Sequence, residues 1–223
     1  MIAKNIEKFN EQLTSTHCKL VAVSKTKPIE DLQLAYQAGQ RIFGENKSQE
    51  MHSKHELLAK DIQWHMIGHL QRNKVKYIAP FVNLVHSIDS IKLIKEIQKE
   101  AIKNDRTIDC LLQVYIAKEE TKFGFDEEEV MTLLESKELL KFDQVNIVGL
   151  MGMATNTTDK DQIRSEFKDL KRIFDFIKNS HETSNVQMVE LSMGMSGDYQ
   201  IAIEEGSTLI RVGSSIFGSR NYA

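Results

Sequence analysis

The sequence is poor in cysteine and proline and has no long apolar run. It contains only two cysteines and two prolines in 223 residues, and Cys18 and Cys110 stand alone, outside any Cys-x-x-Cys pattern. A disulfide framework is therefore not expected. No apolar run approaches the roughly 20 residues that a membrane-spanning helix needs. The first 13 residues mix apolar and charged positions, unlike a signal peptide. We predict a cytoplasmic protein with reduced cysteines and no membrane contact.

Charge and composition exclude further classes. The formal net charge is -3, so the chain has no broad positive surface for nucleic acid. With 41% hydrophobic and 27% charged residues, the composition is that of a folded globular protein. No linker-like or low-complexity stretch offers a boundary, so we predict one domain over residues 1–223.

Strand-like and helix-like segments alternate after an amphipathic helix within residues 1–13. About eight such repeats in 223 residues predict a single (β/α)₈ TIM barrel with an extra N-terminal helix. An open, doubly wound sheet is the alternative. The strand-like runs are Leu20–Ser24, Arg41–Gly44, Ile62–Ile67, Phe81–His86, Ile108–Ile116, Val145–Met151, Val186–Leu191 and Thr208–Val212.

Lys25 follows the first strand-like run directly. Pro28 then cannot continue a strand but suits the first turn of a helix, so Lys25 lies at a strand-to-helix junction. The carboxyl ends of strands are where α/β proteins carry their functional residues. A solvated surface lysine is the simpler alternative at this position.

The loops after the seventh and eighth strands are rich in glycine and serine. Ser192 and Ser196 belong to the first loop, and Gly213 and Ser214 belong to the second. Exposed backbone amides and serine hydroxyls at such loops can hold a phosphate group. The same residues also occur in ordinary turns and helix caps.

A closed barrel brings the first and eighth strands together, so Lys25 would lie beside the second of these loops. A lysine next to a phosphate site is what pyridoxal 5'-phosphate (PLP) requires, with the amine forming an imine to its aldehyde. Arg211 shares its strand face with Leu209 and Gly213. If Arg211 faces the pyridine nitrogen of PLP, it cannot share a mobile proton with the ring.

Five motifs in this order resemble the pyridoxal phosphate homeostasis protein family over nearly the whole chain. The resemblance implies a barrel like the N-terminal domain of alanine racemase, with covalently bound PLP and no established catalysis. It also implies that Lys25 forms the imine, that Arg211 contacts the pyridine nitrogen, and that Ser192, Ser196, Gly213 and Ser214 include the phosphate contacts. The motifs are residues 21–28, 43–46, 64–74, 191–196 and 211–218.

Other polar residues are weaker candidates. Asn46 follows the second strand and could reach the mouth of the cofactor site. His65 lies between Trp64 and Met66 on a buried strand, where a hydrogen-bonded core histidine is the commoner outcome. Histidines, cysteines and carboxylates show no grouping at ligand spacing, so we predict no metal site.

The function that these observations favour is a PLP carrier or buffer, with apo-enzymes as conceivable recipients. A PLP-dependent amino-acid racemase is the main alternative, and a Schiff-base aldolase is a third. Racemisation needs a second acid-base group on the opposite face of the substrate, which racemases take from an additional domain. Because this sequence ends at Ala223, after its eighth unit, we favour the carrier and a monomer.

Overall fold

Eight parallel strands close into a barrel in chain order. The computed structural model describes residues 1–118 and 123–218, so the predicted domain of residues 1–223 extends beyond the described ranges. The strands are β1 (Lys19–Val23), β2 (Ile42–Glu45), β3 (Gln63–Met66), β4 (Leu84–Ile88), β5 (Ile108–Gln113), β6 (Val145–Met151), β7 (Val186–Ser192) and β8 (Leu209–Val212). Since β1 pairs with β8, the predicted closed barrel is confirmed and the open sheet is wrong.

Helices cover the outside of the barrel. They are α1 (Ile2–Leu13), α2 (Ile29–Gln37), α3 (Ser48–Leu57), α4 (Ile91–Lys103), α5 (Glu127–Glu135), α6 (Lys160–Ser180), α7 (Tyr199–Glu204) and α8 (Ser214–Phe217), with 3-10 helices at Arg72–Tyr77 and Glu138–Lys141. The predicted N-terminal helix is confirmed, and Ile6, Phe9 and Leu13 form its buried face. Within residues 1–118 and 123–218, every helix is too short or too polar to span a lipid bilayer.

The strands separate two apolar cores. The larger core lies between the strands and the helices and includes the fully buried Trp64 and Phe43. The smaller core fills the inside of the barrel and is formed by Val21, Leu84, Leu111, Met151 and Leu209. Because side chains alternate between the two faces of a strand, every second residue of β1 and β8 points into the barrel.

The predicted bounds of two strands need correction. Strand β4 begins at Leu84 rather than Phe81, because the amides of Phe81 and Val82 donate to the Ile78 carbonyl in the preceding turn. Strand β5 ends at Gln113, and the chain continues to Ile116 outside the strand. The segment after β3 forms a 3-10 helix over Arg72–Tyr77, in which Val75 is buried.

Polar pairs fill the amino end of the barrel. Lys19 on β1 forms an ion pair with Glu190 on β7, and Thr208 donates to the same carboxylate at 2.6 Å. The Asn146 side chain donates to Asp109 at 2.9 Å. The functional cavity lies at the opposite end.

Candidate functional site

A cavity of about 350 Å³ opens at the carboxyl end of the barrel. Six of the seven predicted site residues lie on its wall: Lys25, Asn46, Ser196, Arg211, Gly213 and Ser214. Among the described residues, the wall carries three basic side chains, with Lys27 joining Lys25 and Arg211, and no acidic one. The cavity is therefore suited to an anionic ligand.

Lys25 is half-buried in the turn that follows β1. Val23 and Lys25 both line the cavity, whereas the intervening Ser24 is fully buried and points away from it. Successive side chains of a β-strand point to opposite faces, and this alternation continues into the residues that follow β1.

Gly213 brings the loop after β8 close to the end of β1. A Cβ atom on Gly213 would lie 3.2 Å from the Val23 carbonyl oxygen and 3.3 Å from its Cβ, which is tighter than ordinary van der Waals contact. A glycine at this position lets the two backbones approach. Ser214 follows at the start of α8, so the lysine and the glycine-serine loop face one space.

The loop after β7 supplies another part of the wall through Ser196 and Gly197. Gly194 has φ +93°, a left-handed conformation that favours glycine, and its Cβ position would lie 2.5 Å from Ala202. The Asp198 side chain accepts the Met195 amide at 2.5 Å and folds the loop back on itself.

Asn46 follows β2 and reaches the cavity as predicted from its position. Its backbone lies against Gly68 at the end of β3, where a Cβ atom would lie 2.6 Å from the Asn46 carbonyl oxygen. A side chain at position 68 would push this part of the wall away, so Gly68 is required for the close approach.

Ser192 is the predicted site residue that the structure does not bring to the cavity. It is fully buried at the end of β7, and its hydroxyl accepts a hydrogen bond from Arg211 Nη1 at 2.6 Å. The same nitrogen donates to the Ser192 carbonyl at 2.9 Å, and Arg211 Nη2 donates to the Gly152 carbonyl at 3.1 Å. Ser192 therefore fixes the position of the Arg211 guanidinium through its hydroxyl and carbonyl oxygens.

Arg211 is a buried cation on the cavity wall. No carboxylate of the described residues lies within ion-pair distance of it, and burial lowers the pKa of its guanidinium to about 10, with Asp198 opposing the shift. At that pKa the group stays charged at neutral pH. An uncompensated buried charge on a cavity wall is costly, which indicates that a polar ligand group completes its environment.

His65 and His86 extend this network inside the barrel. His65 Nδ1 lies 3.0 Å from His86 Nε2, and His86 Nδ1 lies 2.9 Å from the Ser192 hydroxyl. Because Arg211 donates to that hydroxyl, the serine proton is directed at His86 Nδ1, and the proton of His86 resides on Nε2, facing His65. Burial lowers the pKa of His65 to about 3 and that of His86 well below its usual range, so both imidazoles are neutral.

Sequence reasoning missed His86 and the cavity residues Lys27, Met153 and Met195. His65 is buried in the network and does not line the cavity. The alternation of side chains along β3 could have placed His65 inside the barrel. Its contact with His86, however, depends on the register of β3 against β4. In the described part of the chain, no three histidine, cysteine or carboxylate side chains gather as metal ligands would.

Comparison with known proteins places the chain among relatives of similar length. The family described as "Alanine racemase, N-terminal domain" matches residues 1–221. The pyridoxal phosphate homeostasis protein of Aquifex aeolicus is 40% identical over 205 residues, which cover 92% of this chain and 88% of that protein.

Solved structures of PipY from Synechococcus elongatus PCC7942 are also similar. The structure with PLP bound has a TM-score of 0.88 at 32% identity, and the structure without PLP has a TM-score of 0.90 at 33% identity. Both comparisons cover 98% of this chain and 100% of the PipY chain.

Proposed function

This chain belongs to the pyridoxal phosphate homeostasis protein family, and we therefore propose that it binds PLP at Lys25 and controls the supply of this cofactor. The observation that carries the proposal is the shared cavity. Lys25 and the loop containing Gly213 and Ser214 face one space of about 350 Å³ with a basic wall.

PLP supplies an aldehyde, with which an amine condenses to form a carbon-nitrogen double bond and release water. Lys25 supplies that amine from a half-buried turn, with its backbone position fixed by the end of β1. Lys27 lines the same cavity, but its Nζ donates to the Phe217 and Gly218 carbonyls at 3.0 and 3.3 Å. Lys25 continues the cavity-facing alternation of β1 after Val23, and we propose it as the attachment residue.

The phosphate group is proposed to lie against Gly213, Ser214 and Ser196. The close approach of Gly213 to Val23 sets the distance between Lys25 and the loop of Gly213 and Ser214, which we call the phosphate loop. Backbone amides and hydroxyls at such loops bind phosphate oxygens by hydrogen bonds. The basic side chains of the wall add electrostatic attraction for the dianion.

Arg211 is proposed to face the pyridine nitrogen. Its guanidinium donates hydrogen bonds and accepts none, and it stays protonated at neutral pH, so it leaves the ring nitrogen without a proton. An unprotonated ring withdraws electrons weakly. This suits a protein that holds PLP, although racemases of this fold share the arginine.

We propose that the protein acts as a carrier or buffer and not as an enzyme. Its relatives are named homeostasis proteins. Among the described residues, the cavity wall has no tyrosine, histidine, cysteine or carboxylate that could act as a second base in racemisation. We further propose a cytoplasmic monomer that delivers PLP to apo-enzymes.

A chirality assay tests the carrier proposal. The PLP-loaded protein is incubated with single enantiomers of several amino acids, and optical purity is followed by chiral chromatography. We expect no sustained change in optical purity, while a visible band at about 420 nm confirms that PLP stays bound. Continued racemisation of any amino acid at a rate proportional to protein concentration would contradict the carrier role.

A further inference from the structure

A buried charged cluster lies behind the turn that carries Lys25. We define the Glu45 cluster as Ser24, Glu45, Glu50 and Lys54. Lys54 Nζ donates to Glu45 Oε1 at 2.8 Å and to Glu50 Oε1 at 2.7 Å, and the Ser24 hydroxyl donates to Glu45 Oε1 at 2.7 Å. Glu45 is fully buried at the end of β2, and Lys54 on α3 is nearly so.

The cluster binds the backbone on both sides of Lys25. Lys54 Nζ donates to the Ser24 carbonyl oxygen at 2.8 Å, which fixes the peptide group preceding Lys25. Glu50 Oε1 accepts the amide of Thr26 at 2.6 Å, which fixes the peptide group following it. The Lys54 ammonium thereby holds both peptide groups that flank Lys25, the first directly and the second through Glu50.

The turn needs such support because its backbone is strained. Thr26 has φ +65°, in the left-handed region that β-branched residues rarely adopt. Nothing in the intrinsic preference of threonine would keep this conformation. The hydrogen bond from its amide to Glu50 therefore stabilises a turn that the local sequence disfavours.

Burying the charged groups of the Glu45 cluster is energetically unfavourable. Burial raises the pKa of Glu45 even though Lys54 and Ser24 oppose the shift, and its Oε2 atom has no hydrogen-bond partner among residues 1–118 and 123–218. A buried ion pair is often no more stabilising than apolar side chains of similar volume. Stability alone is therefore a poor explanation for these charges, whereas two of their contacts, from Lys54 to the Ser24 carbonyl and from the Thr26 amide to Glu50, orient the turn.

We infer that the Glu45 cluster positions the amine of Lys25 for bond formation with the PLP aldehyde, an inference that rests on the proposed function. Glu50 and Lys54 are positioning residues, since they bind the backbone on either side of Lys25, and Glu45 acts one step further back by holding Lys54 and the Ser24 side chain. None of them lines the cavity. Their loss should affect the covalent bond and leave the phosphate loop and Arg211 unchanged.

Two ligands distinguish the covalent from the non-covalent contribution to PLP binding. PLP reports covalent binding through its visible absorbance, and 4-deoxypyridoxine 5'-phosphate, which has a methyl group in place of the aldehyde, reports non-covalent binding by calorimetry. We expect Glu50→Ala to weaken PLP binding about tenfold, the effect of one lost charged hydrogen bond. We expect a larger loss for Lys54→Met, and affinity for the deoxy analogue within about twofold of wild type for both.

Glu182→Ala is the matched control. Glu182 also accepts one backbone amide, that of Met188 at 2.8 Å, but it lies near the amino end of β7. This variant should bind both ligands like the wild type. The double variant Glu50→Ala with Thr26→Asn tests the strain directly, because asparagine tolerates the left-handed region. It should recover most of the lost PLP affinity.

The results of these experiments distinguish a failure of the proposed PLP binding from a failure of the positioning role. If wild-type protein forms no visible band with PLP, the proposed function fails and this inference fails with it. If wild type forms the band but Glu50→Ala binds PLP unchanged, or loses both ligands equally, the positioning role alone is wrong. Glu50 is partly exposed, so its variant decides the matter even if Lys54→Met does not fold.

Discussion

Replacing Lys25 with alanine is expected to abolish the visible absorbance band of bound PLP and to weaken PLP binding by about a hundredfold or more. The phosphate loop and Arg211 remain in this variant, so a weak, non-covalent complex should persist. Lys27 is not expected to substitute, because its ammonium donates to the carbonyls of Phe217 and Gly218. Spectroscopic titration followed by dialysis measures both effects.

Lys19→Ala provides the control for this variant. Lys19 is the other lysine at an end of β1, and it pairs with Glu190 at the amino end of the barrel. Its removal should leave the band and the affinity for PLP unchanged. A Lys25→Ala protein that kept the band, with a normal thermal transition, would show that PLP is attached to a different amine.

The folded protein is expected to lose up to about 4 kcal/mol of stability between pH 7 and pH 5 through His65 and His86. Burial holds the pKa of His65 at about 3 and that of His86 well below the usual value of 6.5. Below pH 6.5 the unfolded chain therefore binds protons that the native protein does not. The stabilisation is fully present above pH 6.5 and is lost as the pH falls towards the folded-state values.

Urea unfolding at pH 7, 6 and 5 measures this dependence. Each histidine should contribute a slope of up to about 1.4 kcal/mol per pH unit, so the variant His65→Asn should lose about half of the slope of the pair. The window lies above the usual pKa of carboxylates, which limits their contribution. His55 shifts in the same direction but is partly exposed, and His55→Asn serves as the comparison. Stability that did not change between pH 7 and pH 5 would contradict the buried neutral pair.

The position of Lys25 could be predicted because it depends on short-range rules. Strand alternation places Val23 and Lys25 on one face, and closure of the barrel makes β8 the neighbour of β1. Strand alternation also predicted that Arg211 shares a face with Leu209 and Gly213, and the structure places Arg211 and Gly213 on the cavity wall and Leu209 in the core inside the barrel. These relations hold without knowledge of the strand register.

The role of Ser192 and the partnership of His65 with His86 depend on register, which the sequence did not reveal. The register of strand pairing shifts between Val85 and Ile88 and between Ile147 and Gly149. Because of these shifts, counting residues along the sequence does not give the level in the barrel at which each inward side chain lies. The Glu45 cluster was missed for another reason. Lys54 lies on a helix with little amphipathic character, and only packing against β2 shows that it is buried.

The mass of the protein after incubation with PLP and borohydride reduction tests the central claim most directly. We expect one reduced PLP adduct per chain, located on Lys25 by peptide mapping. No adduct, or an adduct located on Lys27 or on any lysine outside the cavity, would contradict it.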